Sequence, residues 1–185
     1  AIRRWDLASR IGREVRPSDG ALAAAAISPG ATRVAIFGLR SELVELDGTS
    51  RPLAELRRGT WTPDGVLVAF DRKHYTVVRI DPATGTTTVV DPEAIEALAI
   101  ASDGIRTYTG GVLPKGRLKE TSAGETSFRP AGHAGPIPSI ACLPDGTIVT
   151  ASSSSRFSGL AATADPTVTV LRGTDIETLY GHDGE

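Results

Sequence analysis

A chain of 185 residues, 40% hydrophobic but only 5% aromatic, is long enough for one packed domain or a stretch of a repeat array, with aliphatic side chains doing most of the packing. Its formal net charge of −2 excludes a whole-molecule pull toward nucleic acid or anionic lipid. Cys142 is the only cysteine, which excludes an intrachain disulfide and a cysteine-based metal cluster, and no apolar run approaches the ~20 residues of a membrane helix.

Taken in order, the chain opens on two strand patterns, RRWDLASR from Arg3 and IGREV from Ile11, which read as the last two strands of a partial unit, 1–17. From there one pattern recurs. Its turn signals are ISPGATRVA at Ile27, WTPDGVLVA at Trp61, IASDGIRTY at Ile100 and CLPDGTIVT at Cys142, with starts 34, 39 and 42 residues apart. A Pro-Asp-Gly core makes a tight hairpin, because Pro presets φ while Asp and Gly accept unusual backbone angles. A second series, LVELDGTS at Leu43, VVRIDPATG at Val77 and TVLRGTD at Thr169, marks third strands, and PLAEL, TTTVV, ETSF and IETLY mark fourth strands. The alanine-rich stretches ALAAAAIS and EAIEALAIA pass for helix on propensity, but their place before a turn assigns them as inner strands at a crowded centre.

The parse gives four full units, 21–57, 59–91, 95–130 and 137–180, and the start of another at 181–185. The third unit is expected to be irregular, with a poor third strand around GGVLPKGRLKETSAG. The fourth carries an insertion, 153–164. With no methionine and an opening that reads as mid-strand, the sequence is expected to be an internal piece of a longer polypeptide. No signal peptide is expected within these residues, any targeting signal is expected outside them, and a cytoplasmic location is expected.

Gly132-His133, Gly181-His182, Trp5-Asp6 and Asp165-Pro166-Thr167 followed by VTVL resemble the motifs of the WD-repeat β-propeller. That resemblance implies an all-β fold of four-stranded antiparallel blades: four full blades plus two strands of another. It also implies a buried network of His133 and Asp165 with Thr150 or Ser152 as the hydroxyl, and Trp5-Asp6 as its counterpart in the partial blade. Leu171 stands where the family has tryptophan, so the network should end early in the fourth unit. VVRIDPATGTTTVVD also resembles a local turn of bacterial surface-layer and lactonase-like propellers. Four and a half blades are too few for the family's common closed ring, so the remainder is expected from further sequence or another chain.

The chemical inventory is thin. Three histidines occur, two of them in Gly-His pairs, and no HExxH, phosphate loop, zinc spacing or G-x-S-x-G is present. Neither a catalytic residue nor a cofactor or metal site is expected. Cys142, in the apolar run IACL, reads as a buried structural thiol. The loops between second and third strands and between units share one face and gather Arg40, Arg57, Arg58, Arg72, Lys73, His74, Lys115, Arg117, Arg129 and Arg156. The turns of the opposite face gather Asp6, Asp47, Asp64, Asp81, Asp103, Asp145 and Asp175. A basic face able to attract an acidic segment is therefore expected, with Phe157 and Leu160 of the insertion as apolar anchors. The expected function is a non-catalytic scaffold or sensor that binds a protein or peptide, within a larger regulatory protein. The alternative is a lactonase- or hydrolase-like propeller enzyme with a site in the central channel. Seventeen arginines against three lysines point to GC-rich coding and a bacterial source.

Overall fold

The computed structural model describes residues 2–6, 11–16, 22–38, 40–94, 97–111, 116–152 and 167–180. They form five antiparallel sheets. The first is a pair, β1 (Ile2–Asp6) and β2 (Ile11–Arg16). The second holds β3 (Leu22–Ile27), β4 (Arg33–Gly38), β5 (Glu42–Glu45) and β6 (Ser50–Pro52). The third holds β7 (Leu56–Trp61), β8 (Leu67–Asp71), β9 (Thr76–Ile80) and β10 (Thr87–Asp91). Next come β11 (Ala97–Ser102), β12 (Thr107–Gly111), β13 (Arg117–Ser122) and β14 (Glu125–Pro130). Last are β15 (Ser139–Cys142), β16 (Ile148–Ala151), β17 (Val168–Arg172) and β18 (Asp175–Leu179). Each four-stranded sheet is a meander in which sequence neighbours pair.

The turn chemistry shapes each first hairpin. At Thr62–Val66 the Thr62 amide donates to the Val66 carbonyl at 2.9 Å and Gly65 sits at φ 83°, a conformation glycine adopts without steric cost. The Leu143–Thr147 turn repeats this, with Gly146 at φ 80°.

Sheets stack through their faces, and the two-residue period of a strand feeds two different cores. In β8, Leu67 and Ala69 face back to Ala35, Phe37 and Leu43, whereas Val68 and Phe70 face forward to Ala94 and Ile100. All five residues of β8 are buried for that reason. A third core joins Tyr108, Leu118, Ala131 and Ile137 to Ile148 and Leu171 of the last sheet. Each fully buried Val, Leu or Phe contributes about 1.5–3 kcal/mol. The alanine-rich β3 and β11 are strands, and β7 packs between them at the centre of the array.

Polar ties reinforce the stack. Arginines of one sheet donate to turn or strand carbonyls of the next: Arg51 to Pro82, Arg58 to Leu98, Arg79 to Gly104 and Arg129 to Gly173. Trp61 Nε1 donates backward to the Ala26 carbonyl at 3.0 Å, and Lys119 Nζ reaches Asp91 at 2.7 Å.

Two expectations are corrected. The third unit's third strand is complete: β13 pairs with β14 over six residues and with β12 over three. Its polar side chains are employed across sheets, Lys119 on Asp91, rather than being a sign of irregularity. The fourth strand read as PLAEL falls earlier, at Ser50–Pro52, and Leu56 and Arg57 already belong to the next sheet. The last sheet turns Ile148 and Leu171 toward its predecessor, and its other face carries Ala141, Val149, Ala151, Val168, Val170 and Leu179, none of them buried.

Candidate functional site

Two polar constellations stand out. The first surrounds His133. The 131–137 connection is fastened to the end of the preceding sheet: Gly116 N–H donates to the Gly135 carbonyl at 3.1 Å, and Ala131 N–H donates to the Gly116 carbonyl at 2.8 Å. Only glycine fits at 116, since a Cβ there would lie 1.8 Å from the His133 carbonyl oxygen. The imidazole is thereby directed into the last sheet. Nε2 meets Thr150 Oγ1 at 2.7 Å, and Nδ1 meets Thr167 Oγ1 at 2.8 Å and Thr169 Oγ1 at 3.5 Å. Thr150 and Thr169 are cross-strand partners on β16 and β17. All four residues are buried, His133 at 8% exposure, so the cluster fixes a loop to a sheet and offers no open surface to a substrate.

Of the residues read from the sequence for this network, the structure brings together His133 and Thr150. Ser152 is buried, but its hydroxyl has no partner among the described residues. Asp165 lies outside the described residues, and Trp5 and Asp6 fall in β1. Thr167 and Thr169 were missed as ligands of the ring. The signal for Thr167 was present, because it is the last residue of the Asp-x-Thr motif from which only the Asp was carried over.

The second constellation lies on the loop face. Asp71, at the end of β8, accepts the Lys73 amide at 2.8 Å and the His74 amide at 3.2 Å through Oδ1, while Oδ2 meets His74 Nδ1 at 2.8 Å. Burial pushes the Asp71 carboxyl up, but the His74 side chain and the two amides outweigh it and hold the group below the usual carboxylate value. The loop closes on Tyr75, at φ 55°, whose ring meets Phe70 edge-on at 6.4 Å. Hydrogen bonds bring three loops together: Arg72 N–H donates to Glu55 O at 3.1 Å, Ser41 Oγ donates to Leu56 O at 2.6 Å, and Leu53 N–H donates to Ser41 O at 2.8 Å. Arg57 projects from a register shift between Leu56 and Arg58, a bulge that takes it out of the ladder. The result is one exposed patch of Arg40, Arg57, Arg72, Lys73 and His74. Among the described residues, none of its arginines or its lysine forms an ion pair.

The basic face is smaller than the sequence suggested. Arg58 and Arg129 are spent on the next sheet's carbonyls. Arg117 is exposed at the start of β13, and Lys115, Arg156, Phe157 and the 153–164 insertion lie outside the described residues. The turn face holds paired arginines among its acids. Arg33 meets Glu45 at 2.9 Å, Arg106 meets Asp103 at 3.2 Å and Glu120 at 3.5 Å, and Arg172 meets Glu177 at 3.1 Å. Its turn aspartates cap backbone amides, as Asp145 does with Thr147 at 2.9 Å and Asp47 with Thr49 at 2.8 Å.

No family model and no curated protein matches this sequence. Among solved structures, a chain from the crystal structure of a nidogen/laminin complex superposes with a TM-score of 0.70 at 11% identity, covering 97% of this chain and 72% of that one. The fold is a β-propeller. The four-stranded sheets are its blades, and the β1–β2 pair is part of another. At that identity the likeness extends to architecture alone. Among the described residues no helix is long and apolar enough to cross a membrane, and no group of three or more His, Cys, Asp or Glu is placed to hold a metal ion.

Proposed function

We propose that this propeller segment is a non-catalytic interaction module, and that its loop face at Arg40, Arg57, Arg72, Lys73 and His74 takes an acidic protein segment. The observation that carries the reading is the asymmetry of pairing: the turn face neutralises its arginines internally, whereas Arg40, Arg57, Arg72 and Lys73 of the loop face are exposed and form no ion pair among the described residues, and His74 alone there meets a carboxylate, Asp71. The fold neighbour comes from a complex of two proteins, which agrees with a binding role for the architecture. His133 is enclosed by threonines, which agrees with a structural role for it. The buried His133 cluster after a Gly-His pair also favours a WD-repeat type of blade, within a larger, cytoplasmic, bacterial regulatory protein. The unburied apolar face of the last blade favours a sector that packs against a further blade.

Affinity capture with matched charge reversals tests the reading. Arg57→Glu/Arg72→Glu/Lys73→Glu on the loop face should release a partner that wild type retains. Arg33→Glu/Arg172→Glu on the turn face should retain it. Release by the turn-face variant alone would reverse the assignment.

A further inference from the structure

The geometry points to a more specific ligand for the loop face: an acidic peptide with one aliphatic anchor residue, its carboxylates on Arg57, Arg72 and Lys73 and its anchor in a cavity between the first two full blades. This rests on the reading of that face as the binding face. The cavity, about 120 Å3, lies along the crossover from the first full blade to the second and is walled by Leu53, Leu56, Val78 and Ile80. An apolar cavity of about 150 Å3 is known to hold benzene, so this one has room for a single branched aliphatic side chain. Leu56, Val78 and Ile80 belong to the buried core between the blades, which makes the walls preformed.

Cavity and cationic patch adjoin through chain neighbours. Asp71, which organises the 72–75 loop, lines the cavity, and so does Leu56, the neighbour of Arg57. The two charged groups in the lining are already engaged. Arg51 donates to the Pro82 carbonyl, and Asp71 accepts the Lys73 and His74 amides and the His74 ring. The cavity therefore selects an apolar side chain, while the surrounding loops select negative charge. Division of labour follows: long-range attraction by the cations sets encounter and orientation, and the pocketed side chain sets residence time. Ala54, exposed in the crossover beside the loop face, is the lining residue through which a substitution reaches the cavity from that side.

Two fluorescein-labelled peptides test this by anisotropy at near-physiological salt: a leucine between two runs of glutamate, and the same peptide with serine for leucine. The leucine peptide should bind about 10-fold tighter, the scale a small hydrophobic pocket gives. Ala54→Trp, which reaches the cavity from that side, should abolish that preference and leave the serine peptide's affinity unchanged. Arg57→Glu/Arg72→Glu/Lys73→Glu should weaken both peptides by about 10-fold or more. All four substituted side chains are exposed, so unchanged thermal melting confirms that the site and not the fold is altered. Equal affinity for the two peptides, or a leucine preference that survives Ala54→Trp, overturns the anchor and with it the proposal; binding indifferent to the charge reversals overturns the acidic ligand. A loop-face partner retained in affinity capture but displaced by neither peptide would overturn this ligand and leave the interaction module standing. Failure of both assays would remove the module reading as well.

Discussion

His133→Ala removes one ring and its contacts with three buried hydroxyls. Thr150 is 1% exposed, Thr167 8% and Thr169 0%, and two of the lost contacts are short, at 2.7 and 2.8 Å. A buried polar group deprived of its partner costs about 1–3 kcal/mol. Counting the two short bonds and discounting the long one at 3.5 Å, the loss should be about 2–6 kcal/mol. That is a large part of a domain's total of roughly 5–15 kcal/mol, and at about 2–4 °C per kcal/mol for a chain of this length it lowers Tm by roughly 4–24 °C. Urea titration followed by circular dichroism gives the value. A double-mutant cycle with Thr150→Val isolates the Nε2 bond and should show coupling of at least about 0.5 kcal/mol. A loss below about 1 kcal/mol, the lower edge for one unpaired group, would refute the role of His133 as the pin between the 131–137 connection and the last blade.

Other outcomes follow from the same structure. Asp71 and Asp103 are both held below their ordinary value of 3.8; burial raises each, but hydrogen bonds outweigh it, from the His74 side chain at Asp71 and from the Arg106 and Ile105 amides at Asp103. A depressed folded-state value means stability present above the unfolded value and lost below it, so melting temperature should stay flat from neutral pH to about 4 and fall only on further acidification, as carboxylate protonation requires; a marked fall near pH 6 would contradict this. Cys142 is half-buried, and burial first, then Asp103, pushes its thiol up from 9.0, so alkylation at neutral pH should run slower than for a free thiol. Val149→Glu, on the uncovered face of the last blade, should cost under about 0.5 kcal/mol in this chain. Val78→Glu, 3% exposed between blades, should cost about 4 kcal/mol or more; equal costs would mean that the last blade's face is covered within the chain.

The blades were legible because their signals are local. A Pro-Asp-Gly turn demands a glycine at positive φ, and Gly65 and Gly146 supply it where the sequence placed the turns. Inner strands were legible against their helical propensity because the repeat register outweighs composition. What escaped depends on stacking. That Arg58 and Arg129 donate to the neighbouring blade, and so leave the basic face, follows from the angle between sheets, which no residue pattern encodes. β13 looked weak because its alternation is polar; Lys119 makes sense only beside Asp91 of another blade. The loop face was half legible: its cations were countable, but the bulge that exposes Arg57 and the Asp71 turn that presents Lys73 and His74 were not. An Asp three residues ahead of a His was the available sign.

Site-specific photo-crosslinking tests the central claim most directly. A photoreactive residue at Lys73, in the loop organised by Asp71, and another at Asp145, in a turn of the opposite face, place the same probe at the two ends of the blades. The account predicts an adduct with the binding partner from position 73 and none from position 145. An adduct from position 145 alone would contradict it.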